Sequence, residues 1–141
     1  MKLKRLKRQL LGDKMTIQRN KIRKYTNGEI FTPIELVNEI LDKLPKEYFT
    51  DSSKTICEPS VGEGIFLVEI LRRRLDNGLS STESLKTLYG LDIMEDNISV
   101  CKQNLLELSG DCEEHRKIVD TNIRCENTLE YDFSFKKKDS V

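Results

Sequence analysis

The segment Glu58-Pro59-Ser60-Val61-Gly62-Glu63-Gly64 sets two glycines and two carboxylates in one short turn. Before it, Lys54-Thr55-Ile56-Cys57 reads as a strand. After it, Ile65, Phe66, Val68, Leu71 and Leu75 recur at helical spacing up to the break at Asn77-Gly78. A glycine-containing turn from strand to helix is where α/β folds bind nucleotide-like ligands. Gly62 and Gly64 let the backbone turn sharply and come close to a ligand that a Cβ would obstruct. The same pattern also suits a plain strand-to-helix turn. Some thirty residues on, Asp92 ends a second strand reading, Thr87 to Ile93, where a carboxylate can accept from both hydroxyls of a ribose. Acids are common at plain strand ends too.

The elements that must hold these residues follow from periodicity. Thr32-Pro33-Ile34-Glu35 reads as a helix start, with Thr32 as N-cap, Pro33 at the first position and Glu35 as the capping acid. Leu36, Val37, Ile40, Leu41 and Leu44 form its apolar stripe, and Pro45 halts it. Ser81 to Lys86 reads as a short helical piece. From Glu95 to Leu108, Ile98, Cys101, Leu105 and Leu108 give a further helix, with Glu95 and Asp96 at the positive end of its dipole. Lys117 to Arg124 alternates loosely and reads as a third strand, before a turn at Glu126-Asn127 and the tail Tyr131 to Phe135. Strands alternating with helices predict an α/β fold around a parallel sheet with right-handed crossovers. Three strands make a small sheet, so further strands are expected from elsewhere, a partner included.

The net charge is zero, but its distribution is uneven. Ten of the 24 Lys and Arg and one of the 24 acids fall in residues 1–24, making that segment +9 and the remainder −9. Leu3, Leu6, Leu10 and Leu11 are helically spaced among Lys4, Arg5, Lys7 and Arg8, which predicts a basic helical arm over residues 1–27 and a domain proper over 28–141. Such an arm either meets nucleic acid or lies on the chain's own acidic body. No run reaches the ~18 apolar residues of a membrane span, and no apolar leader follows the basic start, so a soluble, cytoplasmic protein is expected. Cys57, Cys101, Cys112 and Cys125 show no metal-site spacing, and His115 is the single histidine. Cys57 and Cys125 read as core thiols and His115 as exposed. Lys136-Lys137-Lys138 is read as a solvated run.

Taken together, these segments resemble the gamma-type N6-adenine DNA methyltransferases. Gly28-Glu29-Ile30-Phe31-Thr32-Pro33 with its helix looks like their motif X. Glu58 to Gly64 with Ile65-Phe66-Leu67 is similar to motif I, Gly90-Leu91-Asp92-Ile93 to motif II, and Asn127-Thr128-Leu129 with Asp132-Phe133 to motif III. The order X, I, II, III is that of type I modification subunits and fused restriction-modification enzymes. The resemblance covers residues 28 to 135. It implies a Rossmann-like class I methyltransferase fold with a truncated sheet, and S-adenosylmethionine as cofactor. Phe31, Thr32 and Pro33 would hold the methionine end, while Glu58, Pro59, Ser60, Gly62, Gly64 and Phe66 would supply the turn around the methionine moiety. Asp92 would hold the ribose, Ile93 would pack on the adenine, and Asn127 would meet the adenine edge.

The departures from the pattern are Val61 where Cys is usual, Glu63 where Ser or Asn is usual, and Asn127 in place of an acid. Glu63 either points to solvent or crowds the cofactor's carboxylate. The [N/D]-P-P-[Y/F] motif, which grips the acceptor amine in this family, is absent, since Pro33, Pro45 and Pro59 all stand elsewhere. No catalytic residue and no metal ligand is therefore assigned. Methyl transfer to an amine needs the acceptor held in line with the sulfonium, so activity from this chain alone is not expected. The resemblance leaves three readings: a cofactor-binding module completed by a second polypeptide or surviving as a degenerate relative, a non-enzymatic nucleic-acid- or protein-binding module, and an enzyme with an unrecognised acceptor site.

Overall fold

The structure, a computed structural model, describes residues 31–136. The chain divides into two units, Met1–Pro33 and Ile34–Val141. The expected basic arm, residues 1–27, lies outside the described residues, as do Lys137 and Lys138. In the second unit the order is α1 (Ile34–Asp42), α2 (Glu47–Thr50), β1 (Ile56–Glu58), α3 (Ile65–Asp76), α4 (Ser81–Lys86), β2 (Leu88–Asp92), α5 (Glu95–Ser109), α6 (Glu113–Asn122) and β3 (Ile123–Cys125). The strands form one parallel sheet in the order β1-β2-β3. Ile56 lies opposite Leu88 and Glu58 opposite Gly90, while Gly90 faces Ile123 on the other side and Asp92 faces Cys125. The α/β class and the small parallel sheet expected from the alternation of elements are therefore present. Among the described residues no helix is long and apolar enough to cross a membrane.

β2 is the central strand, with Leu88, Gly90, Leu91 and Asp92 buried. β1 and β3 are edges, and this overturns the expectation that Cys57 and Cys125 are core thiols. Both are exposed, as is Cys112, and Cys101 on α5 is the buried one. Against the sheet, Leu67, Ile70 and Leu71 of α3 and Ile98, Cys101 and Leu105 of α5 form the centre of the core, which Val37 and Leu41 of α1 extend. The predicted stripe of α1 is wider than its contact. Leu36, Ile40 and Leu44 are 44%, 40% and 36% exposed, because the buried positions are the one-turn pair 37 and 41. Arg73 of α3 holds α1 from the polar side, donating to Asn38 Oδ1 at 3.0 Å and pairing with Asp42 at 2.8 Å.

The largest departure from the sequence reading is the segment 117–124. It is mostly helix α6, and the strand is confined to Ile123–Cys125. Cys112 caps the helix through its sulfur, which accepts the His115 N–H at 3.5 Å, and Glu113 and Glu114 sit at its positive end. His115, Val119 and Asn122 are its buried residues, spaced four and three apart as one helical face requires. His115 is accordingly buried, not exposed. Its Nδ1 lies 2.7 Å from the Gly110 carbonyl and its Nε2 lies 2.8 Å from Thr82 Oγ1. A carbonyl only accepts, so Nδ1 carries the hydrogen.

Arg74 is fully buried in the middle of the fold. Its Nε donates to the Tyr48 carbonyl at 2.9 Å, Nη1 to the Ser84 carbonyl at 3.0 Å and Thr87 Oγ1 at 2.7 Å, and Nη2 to the Lys54 carbonyl at 2.6 Å. One guanidinium thus ties α2, the approach to β1 and the end of α4 to α3. Burial pushes its pKa down, and the charge of Asp51 opposes that shift. Arg74→Met keeps much of the bulk but leaves three carbonyls without this donor. At about 1–3 kcal/mol for each buried group left unsatisfied, urea unfolding should register a loss of about 3 kcal/mol or more; a loss below about 1 kcal/mol would show that water replaces the guanidinium.

Candidate functional site

All three strands point their C-terminal ends, Glu58, Asp92 and Cys125, to the same edge of the sheet. In parallel α/β sheets this is the edge at which ligands are held. There the turn after β1 folds over the end of β2. The Val61 N–H donates to the Leu91 carbonyl at 2.8 Å, and the Gly62 N–H donates to Asp92 Oδ2 at 3.0 Å. The Gly64 N–H then closes the turn on the Val61 carbonyl at 2.9 Å. Gly64 is required twice over. It has a left-handed φ of 87°, and a Cβ on it would come within 2.6 Å of Cys101 Sγ. Gly90 answers a different need, since a Cβ there would lie 2.8 Å from Val61 Cγ2. Val61, the departure from the methyltransferase pattern, is thus a core residue, 4% exposed and seated over Gly90.

The Asp92 carboxylate is an organising group as well as a candidate ligand. Besides Gly62, it receives the Met94 N–H on Oδ1 at 2.8 Å and the Asn97 amide on Oδ2 at 3.4 Å. It is buried, while its neighbour Ile93 is 67% exposed. Pro59, Ser60, Asp92, Ile93, Asn127 and Thr128 together line a cavity of about 320 Å3. Five of the residues selected from the sequence therefore meet around one space. Thr128 joins them without having been selected. Its hydroxyl donates to the Pro59 carbonyl and fastens the loop after β3 to the turn after β1. Its place beside Asn127 in the third motif was the only signal for it.

The remaining selected residues stand around this space or apart from it. Glu58 ends β1 and accepts the Ser60 N–H at 3.1 Å. Gly62 touches the cavity indirectly, through Asp92. Gly64 is buried under α5, and Phe66 packs half-buried against the core. Phe31, Thr32 and Pro33 belong to the first unit, and α1 begins at Ile34, one residue later than the capping pattern predicts. Glu63, which the sequence left either solvated or crowding a ligand, is half-buried and offers its main-chain carbonyl to Asn104 Nδ2 at 3.0 Å. Asn127 turns its own Oδ1 back to the Leu129 N–H at 3.0 Å. That leaves its amide NH2 as the group with which it would recognise an acceptor.

A protein-family model described as N-6 DNA Methylase matches residues 8–141. The type II methyltransferase M.VspI of Vibrio sp. (strain 343) is 29% identical over 118 residues, which is 84% of this chain and 24% of that protein. The chain thus spans about a quarter of the length of this curated relative. No solved structure matches it.

Burial raises the Glu58 pKa above its ordinary value, and the Ser60 N–H opposes the shift. A carboxyl whose folded-state pKa is raised contributes most to stability below the unfolded value and loses that contribution as pH rises through the folded value. Glu58→Gln removes this dependence. The variant should unfold at higher urea than the parent at pH 7, and the gain should vanish toward about pH 4, near the unfolded glutamate value. Parallel curves for the two proteins across that range would mean that Glu58 carries no such burden.

Proposed function

Since the chain belongs to the N-6 DNA methylase family, we propose that it forms the S-adenosylmethionine-binding part of a Rossmann-like methyltransferase domain, with the cavity at the strand ends as the cofactor site. The observation that carries this reading is the pairing of a buried carboxylate, Asp92, with an exposed aliphatic side chain, Ile93, on the rim of one cavity. A nucleoside asks for that pair: a fixed acceptor for its sugar hydroxyls and an apolar surface for its base. Each carboxylate oxygen accepts about two hydrogen bonds. With Oδ2 engaged by Gly62 and Asn97 and Oδ1 by Met94, Oδ1 has room for one ribose hydroxyl rather than two. The Asn127 amide supplies a donor for a ring nitrogen, and the half-buried Glu58 carboxylate suits an α-ammonium group.

Bound S-adenosylmethionine supplies an activated methyl group on sulfur. The residues here bind and orient it, and none of them is placed to act as acid or base. The acceptor clamp [N/D]-P-P-[Y/F] is absent from the 141 residues, so the reading assigns acceptor binding, on adenine in DNA, to polypeptide outside them. A degenerate, binding-only relative remains the competing form of this reading. The +9 charge of residues 1–24 favours a second role, contact with DNA phosphates.

Calorimetric titration with S-adenosylmethionine and S-adenosylhomocysteine tests the cofactor site. Saturable binding is expected, Asp92→Ala should abolish it, and Ile93→Ser should weaken it roughly tenfold, from about 1–2 kcal/mol of lost apolar contact. Asp92→Ala also releases the turn, so Ile93→Ser is the cleaner variant. Folded chain that binds neither ligand would end the cofactor reading. For the basic segment, DNA affinity should fall steeply with added salt and disappear when residues 1–24 are removed; salt-independent binding would rule phosphate contact out.

A further inference from the structure

The glycine turn is held from behind by one face of α5. Asn97, Cys101 and Asn104 are four and three residues apart, which sets them on a single helical face. Each meets a different part of the site. Asn97, fully buried, donates to Asp92 Oδ2. Cys101, also fully buried, lies where a side chain on Gly64 would be. Asn104 Nδ2 donates to the Glu63 carbonyl at 3.0 Å. In the sequence this helix reads as apolar packing through Ile98, Cys101, Leu105 and Leu108, and the two asparagines carry no motif.

We infer that Asn104 is a positioning residue, which fixes the Glu63-Gly64 peptide and through it the shape of the turn that faces the ligand. The inference rests on the cofactor reading only for its effect on affinity. The Glu63 carbonyl and the Gly64 N–H belong to the same peptide group. Asn104 holds one end of it, and the Val61 carbonyl receives the other. The Val61 and Gly62 N–H groups go to β2, the Gly64 carbonyl to α3 and the Pro59 carbonyl to Thr128, whereas Asn104 brings a side chain of α5 to this peptide. Burial holds the Cys101 thiol protonated, with its pKa pushed up to about 12. It therefore acts in this face as a neutral spacer of fixed size. Asn104 does not line the cavity, so any effect on ligand binding must travel through the backbone.

Hydrogen exchange of the ligand-free full chain tests this directly. In Asn104→Ala, exchange at Gly62 to Gly64 should accelerate roughly tenfold, the effect of losing one hydrogen bond of ordinary strength. Amides of β2 and of the α3 interior that open by local fluctuation should keep their rates, while the urea midpoint should fall only by what one hydrogen bond is worth, about 1 kcal/mol of stability. Asn104→Asp, which keeps the size and loses the donor, should behave alike. S-adenosylmethionine affinity should fall by a similar factor. Unchanged exchange at the turn would overturn the inference, and so would an acceleration shared by the whole chain, which would mark Asn104 as a general stabilising contact. Because exchange needs no ligand, a wild-type chain that fails to bind S-adenosylmethionine would defeat the cofactor reading alone.

Discussion

The hydrogen bond from the Gly62 amide to the Asp92 carboxylate joins the ends of two neighbouring strands that are far apart in sequence. The site depends on it. A buried carboxylate is costly unless donors surround it, and here the donors are two backbone amides and the Asn97 side chain. The turn after β1 therefore cannot take another path without stranding a charge, and the charge cannot move without releasing the turn. The same group that would recognise a sugar also shapes the loop that lies beside it.

Around this link the molecule uses side chains as fasteners at three other places. Arg74 gathers carbonyls from α2, the approach to β1 and α4. Asn122 does similar work at the other end of β2, donating to the Leu85 and Lys86 carbonyls at 3.2 Å each. Thr128 joins the loop after β3 to Pro59. The strands of the outer pairs are only three residues long, so few ladder hydrogen bonds hold the sheet, and these polar side chains secure what the ladder does not.

The site was more legible in the sequence than the scaffold behind it. Gly62, Gly64 and Asp92 announce themselves because a strand-turn-helix with a distant acid has few other arrangements, and Ile93 and Asn127 followed from resemblance. Arg74 gave no such signal, since an arginine in a helix rich in arginines reads as a surface residue until its acceptors are known. The strand reading of 117–124 failed because the loose alternation there is also a helical face: His115, Val119 and Asn122 need a cap at Cys112 to be seen as one. Cys57 and Cys125 were misplaced for a topological reason. Burial of a parallel strand assumes neighbours on both sides, and β1 and β3 each have one.

The register carries a consequence for how the chain reaches this state. Ile56 must find Leu88, and Gly90 must find Ile123, each across about thirty residues whose loop-closure entropy is spent before any pairing energy returns. Helices α3 and α5 lie inside those intervals and shorten the search only once they are formed and packed on one another. The entropy of closing those loops is therefore part of what the sheet must offset, and the ligand-facing turn, whose Val61 and Gly62 amides are received by β2, shares that cost.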